Sequence, residues 1–212
     1  LIQVDDDLGV RAGGEAVAER LELVAQVCLA VQHAHQKGII HRDLKPENIM
    51  LQQRDESLDL VKILDFGLAK LVQPELTDAQ RTAMGMTYGD PRYMAPEQAR
   101  GEVADRRADI YSLGVVLYQI LTLRLPFQRG TLKEFRSKMA KETLKDPAEL
   151  APYRDVPRVL SKIVSKCLDA NPTQRYQSVE ELIRDIENYA EGRSEWFQIA
   201  ELNPKRKEDW EF

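Results

Sequence analysis

Two cysteines are all the thiol chemistry that this 212-residue chain contains. Cys28 and Cys167 stand far apart among apolar neighbours, with no CxxC spacing. That excludes a thiolate metal centre or a redox pair and predicts two buried free thiols in a reducing compartment. Long apolar runs are also missing. The longest, Ile110 to Leu123, is broken by Tyr111, Ser112, Tyr118 and Gln119. It falls short of the ~18–20 residues of a membrane span, so it predicts a buried helix. No secretory leader pattern opens the chain. Basic excess is absent: 30 Lys and Arg face 35 Asp and Glu, a net charge of −5, which argues against a nucleic-acid footprint. Eleven glycines and ten prolines are average usage, which excludes collagenous and low-complexity chains. There is no internal repeat. What is there, 43% hydrophobic and 31% charged residues, suits one folded domain or two small ones rather than a disordered chain.

Residues 1–15 read as a loop or a short frayed helix, with the acidic run Asp5-Asp6-Asp7 and the pair Gly13-Gly14. From Glu15 to Gln36, the apolar residues Leu21, Val24, Cys28, Val31 and Ala34 recur at three- and four-residue steps. This predicts one amphipathic helix, stopped at Gly38. Ile39-Ile40, Ile49-Met50-Leu51 and Val61-Lys62-Ile63-Leu64 read as short β-type runs, with a polar loop from Gln52 to Asp59 before the third. Strands this short build no sizeable sheet. Asp65 to Glu97 shows no sustained period, and an irregular stretch of that length is usually functional. Helices are then expected over Arg106–Leu123, Thr131–Glu142 and Val156–Leu168, the last broken at Asn171-Pro172. A further helix opens at Ser178 with a capping-box-like start and ends at Gly192. The tail to Phe212 is charged, with Trp196, Phe197, Trp210 and Phe212 spaced through it. The fold class expected is mainly α with a few short β-strands.

The chemistry-bearing residues concentrate after the first helix. The loop reads His41-Arg42-Asp43-Leu44-Lys45-Pro46-Glu47-Asn48, a later strand runs into Asp65-Phe66-Gly67, and the irregular stretch closes with Ala95-Pro96-Glu97. These residues resemble the catalytic loop, the metal-binding turn and the end of the activation segment of eukaryotic-type (Hanks-type) protein kinases. The first motif alone arises by chance in roughly one chain of this length in a thousand, and all three stand in the family's order. The resemblance spans about Leu8 to Glu191, and Tyr93-Met94-Ala95-Pro96-Glu97-Gln98-Ala99 is typical of the bacterial Ser/Thr branch.

That resemblance implies ATP and Mg (or Mn) as cofactors and protein hydroxyls as substrates. Asp43 would accept the substrate's hydroxyl proton, and Lys45 would offset charge on the transferred group, in the position typical of Ser/Thr-directed kinases. Asn48 and Asp65 would supply hard oxygen ligands to the metal. Met50 would floor the adenine. His41 and Phe66 would tie the catalytic loop to the metal-binding turn. Arg42 would pair with a phosphate on the activation segment, for which Thr82 is preferred over Thr77 and Thr87. Glu97 and Arg175 would form a buried ion pair, and Asp109 would accept backbone N–H groups of the catalytic loop. His33 and His35, two apart and so on different faces of the first helix, are given no function.

Two departures from the pattern stand out. Gly89-Asp90-Pro91 replaces the usual Gly-Thr-Pro. Asp90 would pair with Lys45, mimic a phosphate, or repel Asp43 and weaken catalysis. No Gly-rich GxGxxG loop and no Val-Ala-Ile-Lys strand occurs, and Gly9 to Gly14 has the wrong spacing for the loop. The expectation is therefore a kinase large (C-terminal) lobe over 1–191, cut from a longer protein, with the small lobe absent and a tail over 192–212. The tail faintly resembles the segment following the kinase domain in the chlamydial-type kinase D group. A catalytically inactive pseudokinase or docking lobe is the alternative. A small-molecule phosphotransferase of related fold fits less well, since such enzymes often share the HxD loop but lack the Ala-Pro-Glu segment. The resemblance further implies a cytoplasmic location, no nucleic-acid partner, no membrane segment in this chain, and room for a dimer that phosphorylates itself in trans.

Overall fold

A computed structural model describes residues 14–54, 57–66, 89–128, 130–138, 143–154 and 156–192. Thr77, Thr82, Thr87, Gly67, the segment before Gly14, Glu142 and the aromatic tail lie outside them. The described part is helical, with one two-stranded sheet.

Helix α1 spans Gly14–Gln36. Its periodic residues Leu21, Val24, Cys28 and Val31 are buried on one side. The helix ends because Gly38 takes a left-handed φ of 73°, open to glycine without strain. The Gly38 N–H then reaches the His35 carbonyl and the Ile39 N–H reaches the Ala34 carbonyl, both at 3.0 Å. This paired closure corrects one expectation: Ile39-Ile40 is not a strand, because the Ile39 donor is used to cap α1.

Pro46–Asn48 form a 3-10 turn that leads into β1 (Ile49–Arg54). β1 pairs antiparallel with β2 (Ser57–Ile63), with Ile49 opposite Ile63 and Arg54 opposite Ser57. The expected polar loop from Gln52 to Asp59 is thus a correction too: most of it is the far half of this hairpin. Alternation alone did not reveal it, because Gln52, Gln53, Arg54 and Asp59 are poor strand formers held by cross-strand pairing.

Helix α2 is the short Pro96–Arg100, and α3 runs Arg106–Thr122. Asp105 caps α3 by accepting from the Arg107 N–H. Nearly every α3 residue from Ala108 to Tyr118 is buried, as its all-round apolar pattern predicts. Then come α4 (Leu132–Lys138), α5 (Pro147–Leu150), α6 (Arg158–Cys167) and α7 (Val179–Ala190). Ser178 caps α7, its hydroxyl accepting from the Glu181 N–H. Gly192, at φ 66°, follows it.

One large apolar core joins most of these pieces, and a small second cluster of Met94, Ala99 and Phe135 joins α2 to α4. α1 packs on α7, β2 and α3, and α3 packs on α6. Gly114 lets α3 and α6 approach so closely that an added Cβ would stand 2.5 Å from the Cys167 Cβ. Both cysteines are buried and free, and burial pushes the Cys28 thiol up to about 12. No helix among the described residues is long and apolar enough to cross a membrane.

Candidate active site

The site is built on the loop between α1 and β1. This loop carries backbone strain: Arg42 holds φ 70° and, at the far end of the hairpin's return strand, Asp65 holds φ 60°. Such conformations cost roughly 1–3 kcal/mol each in non-glycine residues and persist only where surroundings impose them. Here the surroundings are visible. Fully buried Asp109 accepts the Arg42 N–H at 2.7 Å on Oδ1 and the His41 N–H at 2.9 Å on Oδ2. Gln98 Nε2 donates to the Arg42 carbonyl at 3.0 Å, and Gln98 Oε1 accepts from the Ala95 N–H. His35 Nε2 lies 2.7 Å from Asp109 Oδ2. His35, given no function from sequence, therefore helps hold the residue that holds the loop, while His33 is exposed.

Asp43 projects from this fixed backbone. Lys45 Nζ sits 3.2 Å from Asp43 Oδ2. Asn48 Nδ2 donates to the Asp43 carbonyl at 2.8 Å and lies 3.4 Å from its Oδ2. The Asp43 N–H faces His41 Nδ1 at 3.3 Å. Both Asp43 and Lys45 side chains are partly exposed, whereas Asn48 is buried. The base candidate thus reaches solvent beside a buried neighbour that fixes its backbone.

The hairpin brings the second motif back to the first. The Leu64 N–H donates to the Asn48 carbonyl at 2.9 Å, so Asp65 and Asn48 lie at neighbouring strand ends. His41 Nε2 contacts the Leu64 carbonyl at 2.8 Å, and the His41 ring leans on Phe66 with centroids 4.8 Å apart. Met50, on β1, is 41% exposed and so offers an apolar surface to a ligand. The donor set fits a hard cation. Asn48 commits its amide nitrogen to Asp43, leaving its amide oxygen to offer, and Asp65 is exposed. Among the described residues, no group of three or more His, Cys, Asp or Glu gathers to hold a metal.

The segment leading to the third motif lies against the loop. Gly89, at φ 113°, lies against Asp43: a Cβ there would meet the Arg42 carbonyl and Asp43 Oδ1, each at 3.4 Å. The Asp90 N–H donates to Asp43 Oδ1 at 3.2 Å. The Asp90 carboxylate, however, goes to Arg92 rather than Lys45: Arg92 Nε reaches both oxygens at 2.9 Å, and Nη2 adds another bond. Burial would raise the Asp90 carboxyl, but the hydrogen bonds and charge of Arg92, with Lys45 behind them, outweigh it and hold the group below its usual range. Arg92 was not read from sequence, although a cation two residues after Asp90 was its available signal. Farther out, Glu97 and Arg175 form a two-pronged buried pair at 2.7 and 2.8 Å.

The family described as protein kinase domain matches residues 12–185. The chain belongs to the protein kinase domain family. It is 51% identical, over 94% of its length, to the serine/threonine-protein kinase PknD of Protochlamydia amoebophila. It is 37% identical, over 92%, to the PknD of Chlamydia pneumoniae, and 40% identical, over 92%, to that of Chlamydia felis. The protein kinase similarity covers only 21–22% of these relatives, so the chain spans about a fifth of their length.

Proposed function

We propose that this chain is the large, C-terminal lobe of a bacterial Ser/Thr protein kinase that transfers the γ-phosphoryl group of ATP to protein hydroxyls. The observation that carries the reading is Asp43: a partly exposed carboxylate on a strained loop, flanked by Lys45 and Asn48 and locked from behind by Asp109. Loops pay for such strain where chemistry needs a fixed direction.

In this reading Asp43 accepts the proton of the substrate hydroxyl as its oxygen takes up the phosphoryl group. Lys45 steadies the carboxylate at rest and meets the charge on the transferred group. Asn48 and Asp65 hold magnesium or manganese, which neutralises the phosphate oxygens when bound. Met50 lies under the adenine. His41 and Phe66 keep the loop and the Asp65 turn in step, Asp109 fixes the loop backbone, and Glu97 with Arg175 anchors the segment beyond. Thr82, outside the described residues, is the phosphorylation site that Arg42 would read. Residues 1–191 belong to the lobe, 192–212 form a tail, and the Gly-rich loop and strand Lys of a small lobe are not among these 212 residues. The protein acts in the cytoplasm on protein substrates, with self-phosphorylation in a dimer as one route to activity.

The test uses the natural protein that contains this chain, incubated with Mg-ATP and a generic protein substrate. Asp43→Asn is expected to cut phosphate incorporation by at least about 100-fold, the scale of a lost general base. Unchanged incorporation overturns the reading. A docking lobe without catalysis is favoured by one observation, the acid Asp90 at the position of the usual Thr. It predicts no incorporation from wild type at all.

A further inference from the structure

The Asp90 carboxylate is a charge that the chemistry proposed above does not use. Its own N–H donates to Asp43 Oδ1 at 3.2 Å, so the residue abuts the Asp43–Lys45 pair. A bare Asp90 carboxylate would compete for Lys45, whose charge already acts on it.

The structure shows how that conflict is avoided. The Arg92 backbone N–H donates to Asp90 Oδ1 at 2.9 Å. The Arg92 side chain then covers both carboxylate oxygens, fork against fork. The same guanidinium lies 3.6 Å from Glu47 Oε1, on the 3-10 turn that follows the catalytic loop, and 5.6 Å over the Tyr93 ring. It is held on three sides and bridges the segment after Gly89 to the turn that carries Asn48. Lys45 meanwhile stays on Asp43.

We propose that Arg92 is a positioning residue: it neutralises Asp90, leaving Lys45 to Asp43, and straps the post-Gly89 segment to Glu47. The proposal rests on the kinase reading above. It assigns Arg92 a role through other residues, because its guanidinium contacts Asp90, Glu47 and Tyr93 rather than Asp43.

Rescue separates a charge effect from a merely structural one. In the natural protein, Arg92→Ala should lower kcat about tenfold, with KM for the protein substrate moving less, because an uncovered Asp90 draws Lys45 away. Removing the stranded charge as well, in Asp90→Asn/Arg92→Ala, should return kcat to within about threefold of wild type and recover most of any loss in melting temperature. A single Arg92→Ala variant within twofold of wild type overturns the proposal. So does a double variant as slow as the single one. If Arg92→Ala alone does not fold, the double variant decides: folded and active supports the proposal, and folded but slow, or unfolded, overturns it. Wild-type protein without phosphate transfer overturns the kinase reading instead, and this inference with it.

Discussion

Two ion pairs in this molecule have the same chemistry and opposite surroundings. Glu97 and Arg175 meet where α2 approaches the turn before α7, with side chains 6% and 0% exposed. Asp43 and Lys45 meet on the loop between α1 and β1 at 31% and 24%. In the first, every donor of Arg175 is spoken for: its Nε reaches the Asp169 carbonyl at 2.7 Å, and Nη1 also reaches the Arg107 carbonyl at 3.1 Å. Such a pair has no partner to exchange for. The second is loose enough to open for a ligand. Burial thus divides charge that holds the molecule from charge that can act.

Substitutions can press on that division. The largest stability effect is expected from Arg175→Ala, which strands buried Glu97 and should cost about 3–5 kcal/mol in urea unfolding. Asp43→Asn is expected to do the reverse, abolishing transfer while leaving the melting temperature near wild type. Equal stability losses in the two variants would break the comparison. Asp109→Asn lies between the regions, since Asp109 is fully buried yet accepts two loop N–H groups. It should cost about 2 kcal/mol in stability and also slow phosphate transfer. Gly114→Ala tests the apolar side alone: overpacking against Cys167 should cost about 1–3 kcal/mol, with kcat of the folded protein unchanged. The smallest effect is expected from Arg100→Ala, whose partner Glu102 is half exposed, and the melting curve should not move measurably.

Much of this was legible in the sequence, for identifiable reasons. Helices α1, α3, α6 and α7 announce themselves because burial on one side of a helix, or all round it, leaves a period. Their ends at Gly38, Ser178 and Gly192 were legible from local chemistry, a left-handed glycine or a capping hydroxyl, whereas the Asp105 cap of α3 was not read. The motif residues were legible because they cluster in short runs. The hairpin's outer half was not, since cross-strand pairing rather than residue preference places Gln52 to Arg54 in a strand. Short α2 and α5 were missed because one turn of helix carries no period. His35 and Gln98 were missed as supports because their partners lie 74 and 56 residues away, and Arg92 because only side-chain reach decides whether Asp90 pairs with Lys45 or with Arg92.

The hairpin also works as a caliper. Its open end sets Asn48 beside Leu64 through the backbone bond between them, and the register Ile49 to Ile63 fixes the gap between the loop motif and the Asp65 turn. A slip of one residue would turn every side chain of a strand to the other face and carry Asp65 out of line. Changes of length beyond Arg54 and Ser57, at the closed end, would leave that gap untouched. The span between the hairpin's two jaws is thus set at Asn48 and Leu64, at the opposite end from the pairing of Arg54 with Ser57.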